Sequence, residues 1–253
     1  MIQAHPDTLE ADDASPEKSD RLLSVTFVGL LLTQFLGATN DNILRWLVIG
    51  LGKQYVDSGR IGMETSTVLA VGSGCFVLPY ILLAAPAGYL ADRFSKRTVI
   101  VVCKVAEIAI MALAVLSIIA GSIPLMFAVV TLIGSQAALF GPAKLGSIPE
   151  MLRSKKISAA NGVLGLTTVT ALTLGAVIGN WLSTTDVTGA FGQERWWIAA
   201  LAMLGFAVAG WLTSLLIMPL KAANPLRVFP WDMARQTVRD LKILSADRAL
   251  LRV

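Results

Sequence analysis

The chain has 253 residues, of which 55% are apolar and 15% are charged, with 21 Lys and Arg against 17 Asp and Glu. Soluble globular chains are about 45–50% apolar and about a quarter charged, so this composition excludes an ordinary soluble domain and indicates segments buried in lipid. The cysteines, Cys75 and Cys103, lie in apolar runs, and the single histidine, His5, lies near the N-terminus, so we expect neither a metal nor a cofactor.

Apolar runs of about 20 residues, the length of a helix that crosses a bilayer, occur along most of the chain. We predict six spans, at residues 22–51, 68–90, 98–120, 123–145, 159–182 and 196–220. Soluble strands are far shorter than these runs, so the spans are predicted to be helices. Residues 1–21 carry mainly acidic side chains without apolar periodicity, which predicts a disordered tail.

Basic residues are distributed unevenly between the two sides of this predicted bundle. One side has only Lys53, Arg60 and Arg195, whereas the other has the tail, the loops near residues 93–97 and 153–156, and the basic segment 221–253. By the positive-inside rule, both termini are predicted to be cytoplasmic. The net charge of +4 then reflects topology and contact with anionic membrane lipids, and nothing indicates nucleic-acid binding.

Several charged residues fall inside the predicted spans, where a charge costs at least about 2.5–3.5 kcal/mol at the bilayer centre. They and their polar neighbours are Asn40, Asp41, Asn42 and Arg45 in the first span, Lys104 and Glu107 in the third, and Lys144 in the fourth. The spacings Asp41 to Arg45 and Lys104 to Glu107 allow internal ion pairs, the interpretation that we favour for the second pair. Asp41 is too deep in its span to reach water easily, so we predict that it faces a polar cavity.

The charges inside the spans leave a surplus of one positive charge, which favours an anionic ligand. Arg45 suits phosphate as a bidentate donor, and Lys144 suits it as a point charge. Asp41 would either hold an ammonium group or carry a coupling proton.

The loop after the second span contains Gly88, Asp92, Arg93, Lys96 and Arg97 at fixed spacing. Plain positive-inside topology is one explanation, but the whole pattern resembles the loop signature of the major facilitator superfamily. The resemblance implies that the glycine permits close helix approach, that Asp92 holds one conformation closed and that the basic residues anchor the turn. In the fifth span, Gly162, Ala171, Gly175 and Gly179 predict helix packing. That span resembles the glycine-rich fifth helix of the superfamily, but it lacks the proline of the antiporter signature.

Residues 221–253 form a basic linker after the sixth span. Its apolar residues Trp231, Ala234, Val238 and Leu241 recur at helical spacing, which predicts an interfacial amphipathic helix. A soluble helix packed on another domain would have the same sequence pattern. A new apolar run begins at residue 249, so we expect that the sequence is the first half of something longer.

Three segments, Gln34–Asn42, Ala138–Glu150 and Ser158–Gly162, resemble the lysophospholipid transporter family. The resemblance implies an all-α membrane protein, the six-helix N-terminal half of a major facilitator superfamily bundle. It also implies that lysophosphatidylethanolamine, or another amphiphilic anion, moves inward across the bacterial inner membrane by alternating access for reacylation. Asp41 and Lys144 match the functional charges. Because family halves also occur fused to acyltransferase and acyl-ligase domains, an acyltransferase is an expected partner.

The family has twelve spans in two halves, and alternating access requires both. We therefore expect a second six-helix half or a second copy of the chain as partner. Two alternatives remain: half of a drug or metabolite exporter, and the membrane module of a larger acyltransferase enzyme. Residues 1–253 contain no combination of nucleophile, base and acid that would predict an enzyme.

Overall fold

The computed structural model describes residues 18–184 and 192–229. Within them the chain forms seven α-helices and no extended sheet. In chain order these are α1 Val25–Asp57, α2 Thr65–Leu82, α3 Ala84–Arg93, α4 Lys96–Ile119, α5 Ile123–Met151, α6 Ser154–Thr184 and α7 Gly192–Ser214. The acidic tail up to residue 17 and the amphipathic helix predicted after residue 229 lie outside the described residues.

The second predicted span consists of two helices, α2 and α3, which meet at Leu83. This residue has φ −100° and ψ 4°, outside helical geometry. The cause is Pro86, which has no N–H to offer to the carbonyl of Leu82 and whose ring crowds that carbonyl. Pro79, inside α2, removes a further helical hydrogen bond.

Within the described part of the chain, four helices are long and apolar enough to cross a membrane, namely α2, α4, α5 and α6. Helix α1 is longer than any of them, but polar residues such as Asn40 and Asp41 interrupt its apolar surface. The described part of α7 includes the apolar stretch Leu201–Ser214. The fold is therefore that of an all-α integral membrane protein.

Helix α1 lies at the centre of the bundle and contacts α2, α5, α6 and α7. Its longest interface is with α6, where glycines allow the two backbones to approach closely. A Cβ atom at Gly175 would lie 2.5 Å from the carbonyl oxygen of Thr39, and one at Gly179 would lie 2.5 Å from that of Ile43. Only glycine fits at these two positions.

The other two small residues of the fifth predicted span differ from each other. Ala171 is fully buried, as a packing residue is. At Gly162, however, a Cβ atom would meet no other atom within 4 Å in the described part of the chain. Gly162 therefore lies on an exposed face of α6, and no packing contact is seen at its Cβ position among the described residues.

The α3–α4 and α5–α6 turns lie at the same end of the bundle, which we call the basic end after Arg93, Lys96, Arg97 and Arg153. The chain approaches α1 along this end. The backbone N–H of Ser19 donates to the carbonyl of Met151 at 3.0 Å, and Asp20 forms an ion pair with Arg153 at 2.6 Å. Ser19 and Asp20, at the end of the tail predicted to be disordered, thus have backbone and charge partners in and next to the α5–α6 turn.

Candidate functional site

A cavity of about 610 Å³ lies among α1, α2, α4, α5 and α6. Its size is within the usual range for small-molecule sites. Five of the residues singled out from the sequence line it, namely Asp41, Asn42, Arg45, Lys104 and Lys144. We call it the charged cavity. The walls also include aromatic side chains, Trp46, Phe76, Tyr80 and Phe140.

Asp41 lies in the wall of the charged cavity and forms no ion pair with any residue that the structure describes. Its side chain is 7% exposed, and its Oδ1 atom has no hydrogen-bond partner among the described residues. The spacing of Asp41 and Arg45 allows an ion pair, but the structure has none between them. The guanidinium of Arg45 lies instead over the rings of Phe76, at 4.9 Å, and Trp46, at 5.4 Å, while its buried Nε atom has no acceptor.

Lys104 and Glu107 form the buried ion pair that the sequence favoured. Lys104 Nζ lies 2.5 Å from Glu107 Oε2, and the two side chains are 3% and 0% exposed. Asn40 lies behind the cavity wall and donates from Nδ2 to Glu107 Oε1 at 3.5 Å. Asn40 and Glu107 do not line the charged cavity, so we assign them to the support of Lys104. Gly37 makes room for this arrangement, because a Cβ atom there would overlap Lys104 Nζ.

Replacing Glu107 by Leu is expected to destabilise the protein strongly, because Lys104 would be left buried without its carboxylate. Breaking a buried pair in this way costs about 3–5 kcal/mol. The double variant Lys104→Met, Glu107→Leu should recover most of the loss, because apolar side chains then fill the same space. Thermal unfolding of the purified protein in detergent measures both effects. Equal melting temperatures for the single and double variants would contradict this assignment.

Lys144 has a neutral partner rather than an acidic one. Its Nζ atom donates to Gln34 Oε1 at 3.0 Å, and Gln34 Nε2 donates to Thr168 Oγ1 at 3.0 Å. This chain of hydrogen bonds joins α5, α1 and α6. Lys144 Nζ also lies 5.5 Å from the centre of the Phe140 ring. Its charge therefore has no carboxylate partner within the described ranges.

The loop signature forms a contact network at the basic end. Asp92 pairs with Arg227 of the linker, and the backbone N–H of Asn224 donates to the carbonyl of Asp92 at 2.8 Å. Arg93 donates to the carbonyl of Arg227. The linker after α7 is thus held against the α3–α4 turn.

The other basic residues of the loop signature tie the turn to neighbouring helices. Lys96 pairs with Glu150 near the end of α5, and Arg97 donates to the carbonyl of Leu215 at 3.4 Å. No close helix approach is seen at Gly88, where a Cβ atom would meet no described atom within 4 Å.

A family comparison decides the class of protein. Residues 23–253 match the model of the family described as "Major Facilitator Superfamily". The chain belongs to the Major Facilitator Superfamily.

Curated relatives of this superfamily member are named as lysophospholipid transporters. The chain is 33% identical to "Lysophospholipid transporter LplT" of Cronobacter sakazakii over 85% of its own length and 48% of the relative. It is 33% identical to the protein of that name from Pectobacterium carotovorum, over 85% of the chain and 47% of the relative. It is 31% identical to the protein of that name from Serratia proteamaculans, over 81% of the chain and 46% of the relative. The chain spans about half the length of these relatives.

The lining residues of this Major Facilitator Superfamily cavity that were not among the predicted site residues include Gln34, Gln136 and Phe140. Gln34 bridges Lys144 and Thr168, and Gln136, which also lines the cavity, donates to the carbonyl of Cys103 at 3.0 Å. Both are uncharged polar residues inside apolar spans, so a search extended from charged to neutral polar side chains would have found them. The third is Phe140, whose ring lies 5.0 Å from Lys104 Nζ as well as beside Lys144. An aromatic residue in an apolar span gives no such signal.

Proposed function

We propose that the chain is half of a transporter that moves a lysophospholipid, such as lysophosphatidylethanolamine, across the bacterial inner membrane by alternating access. The lipid would travel inward for reacylation, with both termini of the chain in the cytoplasm. The names of the curated relatives and the membership of the superfamily support the substrate class and the type of transport.

The observation that carries this proposal is the set of unpaired charges in the charged cavity. Arg45 and Lys144 have no carboxylate partner, and Asp41 has no cationic partner, among the described residues. The headgroup of lysophosphatidylethanolamine has one anionic phosphate and one ammonium group. In our proposal, Arg45 and Lys144 bind the phosphate and Asp41 binds the ammonium, so that each charge gains a partner.

Alternating access uses two halves that rock around a site near the middle of the membrane. The chain spans about half the length of its curated relatives, so we propose that a second six-helix half, or a second copy of the chain, closes the charged cavity on its open side. An acyltransferase would consume the transported lysolipid. Asp92 and its basic neighbours would control closure at the basic end, where Asp92 forms an ion pair with Arg227 in this structure.

The proposal is tested by uptake of radiolabelled lysophosphatidylethanolamine into cells of a bacterial strain that cannot take up lysolipids by itself. The gene is expressed in full, and the label is followed into diacyl phosphatidylethanolamine. We expect label in the diacyl lipid only when the protein is present. Cells with an empty vector, and cells given labelled glycerol, serve as controls.

Two results would contradict the proposal. The first is uptake no faster than in the empty-vector control although the protein is present in the membrane. The second is protection of the cells from toxic compounds without any lysolipid uptake, which would favour the exporter alternative.

A further inference from the structure

A second cavity, of about 580 Å³, lies between α5 and α6. We call it the apolar groove, because most of its lining is apolar: Leu145, Pro149, Ile157, Leu164 and Val169, with Gly165 and Asn161. Helices α5 and α6 contact each other only sparsely, since α6 packs mainly against α1. The groove is the space that this packing leaves open.

The apolar groove adjoins the charged cavity through shared residues. Lys144 and Thr168 line both spaces, and Gln34 is hydrogen-bonded to both of these side chains. The Lys144 side chain therefore lies at the boundary of the two spaces. Asp41 and Arg45 line one of them, and mostly apolar side chains line the other.

We propose that the apolar groove binds the single acyl chain of the lysophospholipid whose headgroup occupies the charged cavity. This inference rests on the proposed function. A lysolipid has one polar end and one hydrocarbon chain, which matches one charged and one apolar space joined at a cation. A packing helix of a second half would match the apolar lining equally well, but it would also need to leave Lys144 a polar or anionic partner.

Gly165 provides a direct test, because it lines the groove and a Cβ atom there would meet no described atom within 4 Å. A larger side chain at this position enters the groove without displacing the fold. Gly162, three residues earlier on α6, is equally open but does not line the groove. Gly165→Leu and Gly162→Leu therefore form a matched pair, and their levels in the membrane are measured alongside transport.

Transport of lysophosphatidylethanolamine with a 16-carbon chain is compared with that of the 8-carbon form. In Gly165→Leu, the ratio of the long-chain rate to the short-chain rate should fall about tenfold, because a single methylene in an apolar pocket already changes discrimination by about that factor. The ratio in Gly162→Leu should match the unmodified protein. An unaltered ratio in Gly165→Leu would overturn the groove assignment, while lysolipid transport by the unmodified protein would still uphold the proposed function.

A second measurement uses the unmodified protein. Lysophosphatidylethanolamine with a diazirine at the end of its acyl chain is crosslinked by light to the protein in lipid nanodiscs, and the labelled peptides are identified by mass spectrometry. We expect label on the segments 145–149 and 157–169, and competition by unlabelled long-chain lysolipid. Label spread evenly over the lipid-facing helices, without competition, would mean that the chain stays in the bilayer or that another helix fills the groove.

Discussion

Asp41→Asn is expected to lower the uptake of lysophosphatidylethanolamine by about 10- to 150-fold, and to change the uptake of lysophosphatidylglycerol much less. The range corresponds to the loss of a hydrogen bond to a charged group, about 1.5–3 kcal/mol. Asn has the shape of Asp but no charge, and no other carboxylate among the described residues lines the charged cavity. Of the two lipids, only lysophosphatidylethanolamine has an ammonium group, so only this lipid loses an ion-pair partner when the Asp41 carboxylate is removed. Initial uptake rates of the two labelled lipids measure the difference.

Asp57→Asn is the matched control, because it makes the same chemical change at the exposed end of the same helix. It should leave both uptake rates unaltered. A similar loss for the two lipids in Asp41→Asn would assign Asp41 to a coupling proton rather than to the ammonium group. If neither rate changed, Asp41 would have no role in transport.

Lys144→Met should lower the uptake of both lipids by about 10- to 150-fold, since both carry a phosphate group. Methionine keeps the apolar stem that packs beside Phe140 but removes the charge. The protein itself should reach the membrane at normal levels, because no described carboxylate is left unpaired by the change. Uptake rates normalised to the amount of protein in the membrane give the measurement.

Lys155→Met provides the corresponding control, at an exposed position in the first turn of α6. It should transport both lipids at the normal rate. Lys144→Arg retains the positive charge and should recover part of the activity. Full transport by Lys144→Met would show that the phosphate is bound elsewhere.

The helical class and the approximate places of the helices follow from the sequence alone, because the bilayer fixes the length of an apolar helix. The exact ends of the helices are harder to predict from the sequence. Helix α1 continues to Asp57 and α5 to Met151, several residues beyond their apolar runs, because a helix can extend past the hydrocarbon region with polar residues. The break at Leu83 depends on how the backbone accommodates two prolines, and proline is also tolerated inside continuous helices, as Pro142 shows in α5.

The candidate site was predictable where it depended on the cost of a charge in lipid. That cost singled out Asp41, Arg45 and Lys144, which share one cavity. Which charges pair was harder to predict, since it depends on side-chain direction. Spacing allowed Asp41 to meet Arg45, yet Arg45 turns to Phe76 and Trp46, aromatic rings that attract a cation. The contact between Asp92 and Arg227 joins residues far apart in the chain, which spacing does not reveal.

The glycine contacts between α1 and α6 have a mechanical consequence. Where Thr39 and Ile43 touch Gly175 and Gly179, the two backbones approach each other so closely that we expect the two helices to move as one unit. Asp41 on α1 and Thr168 on α6 therefore belong to one rigid pair of helices. Any tilting of this half turns the charged residues of α1 and the groove-lining face of α6 through the same angle, so the headgroup and the acyl chain of a bound lysolipid would be reoriented together.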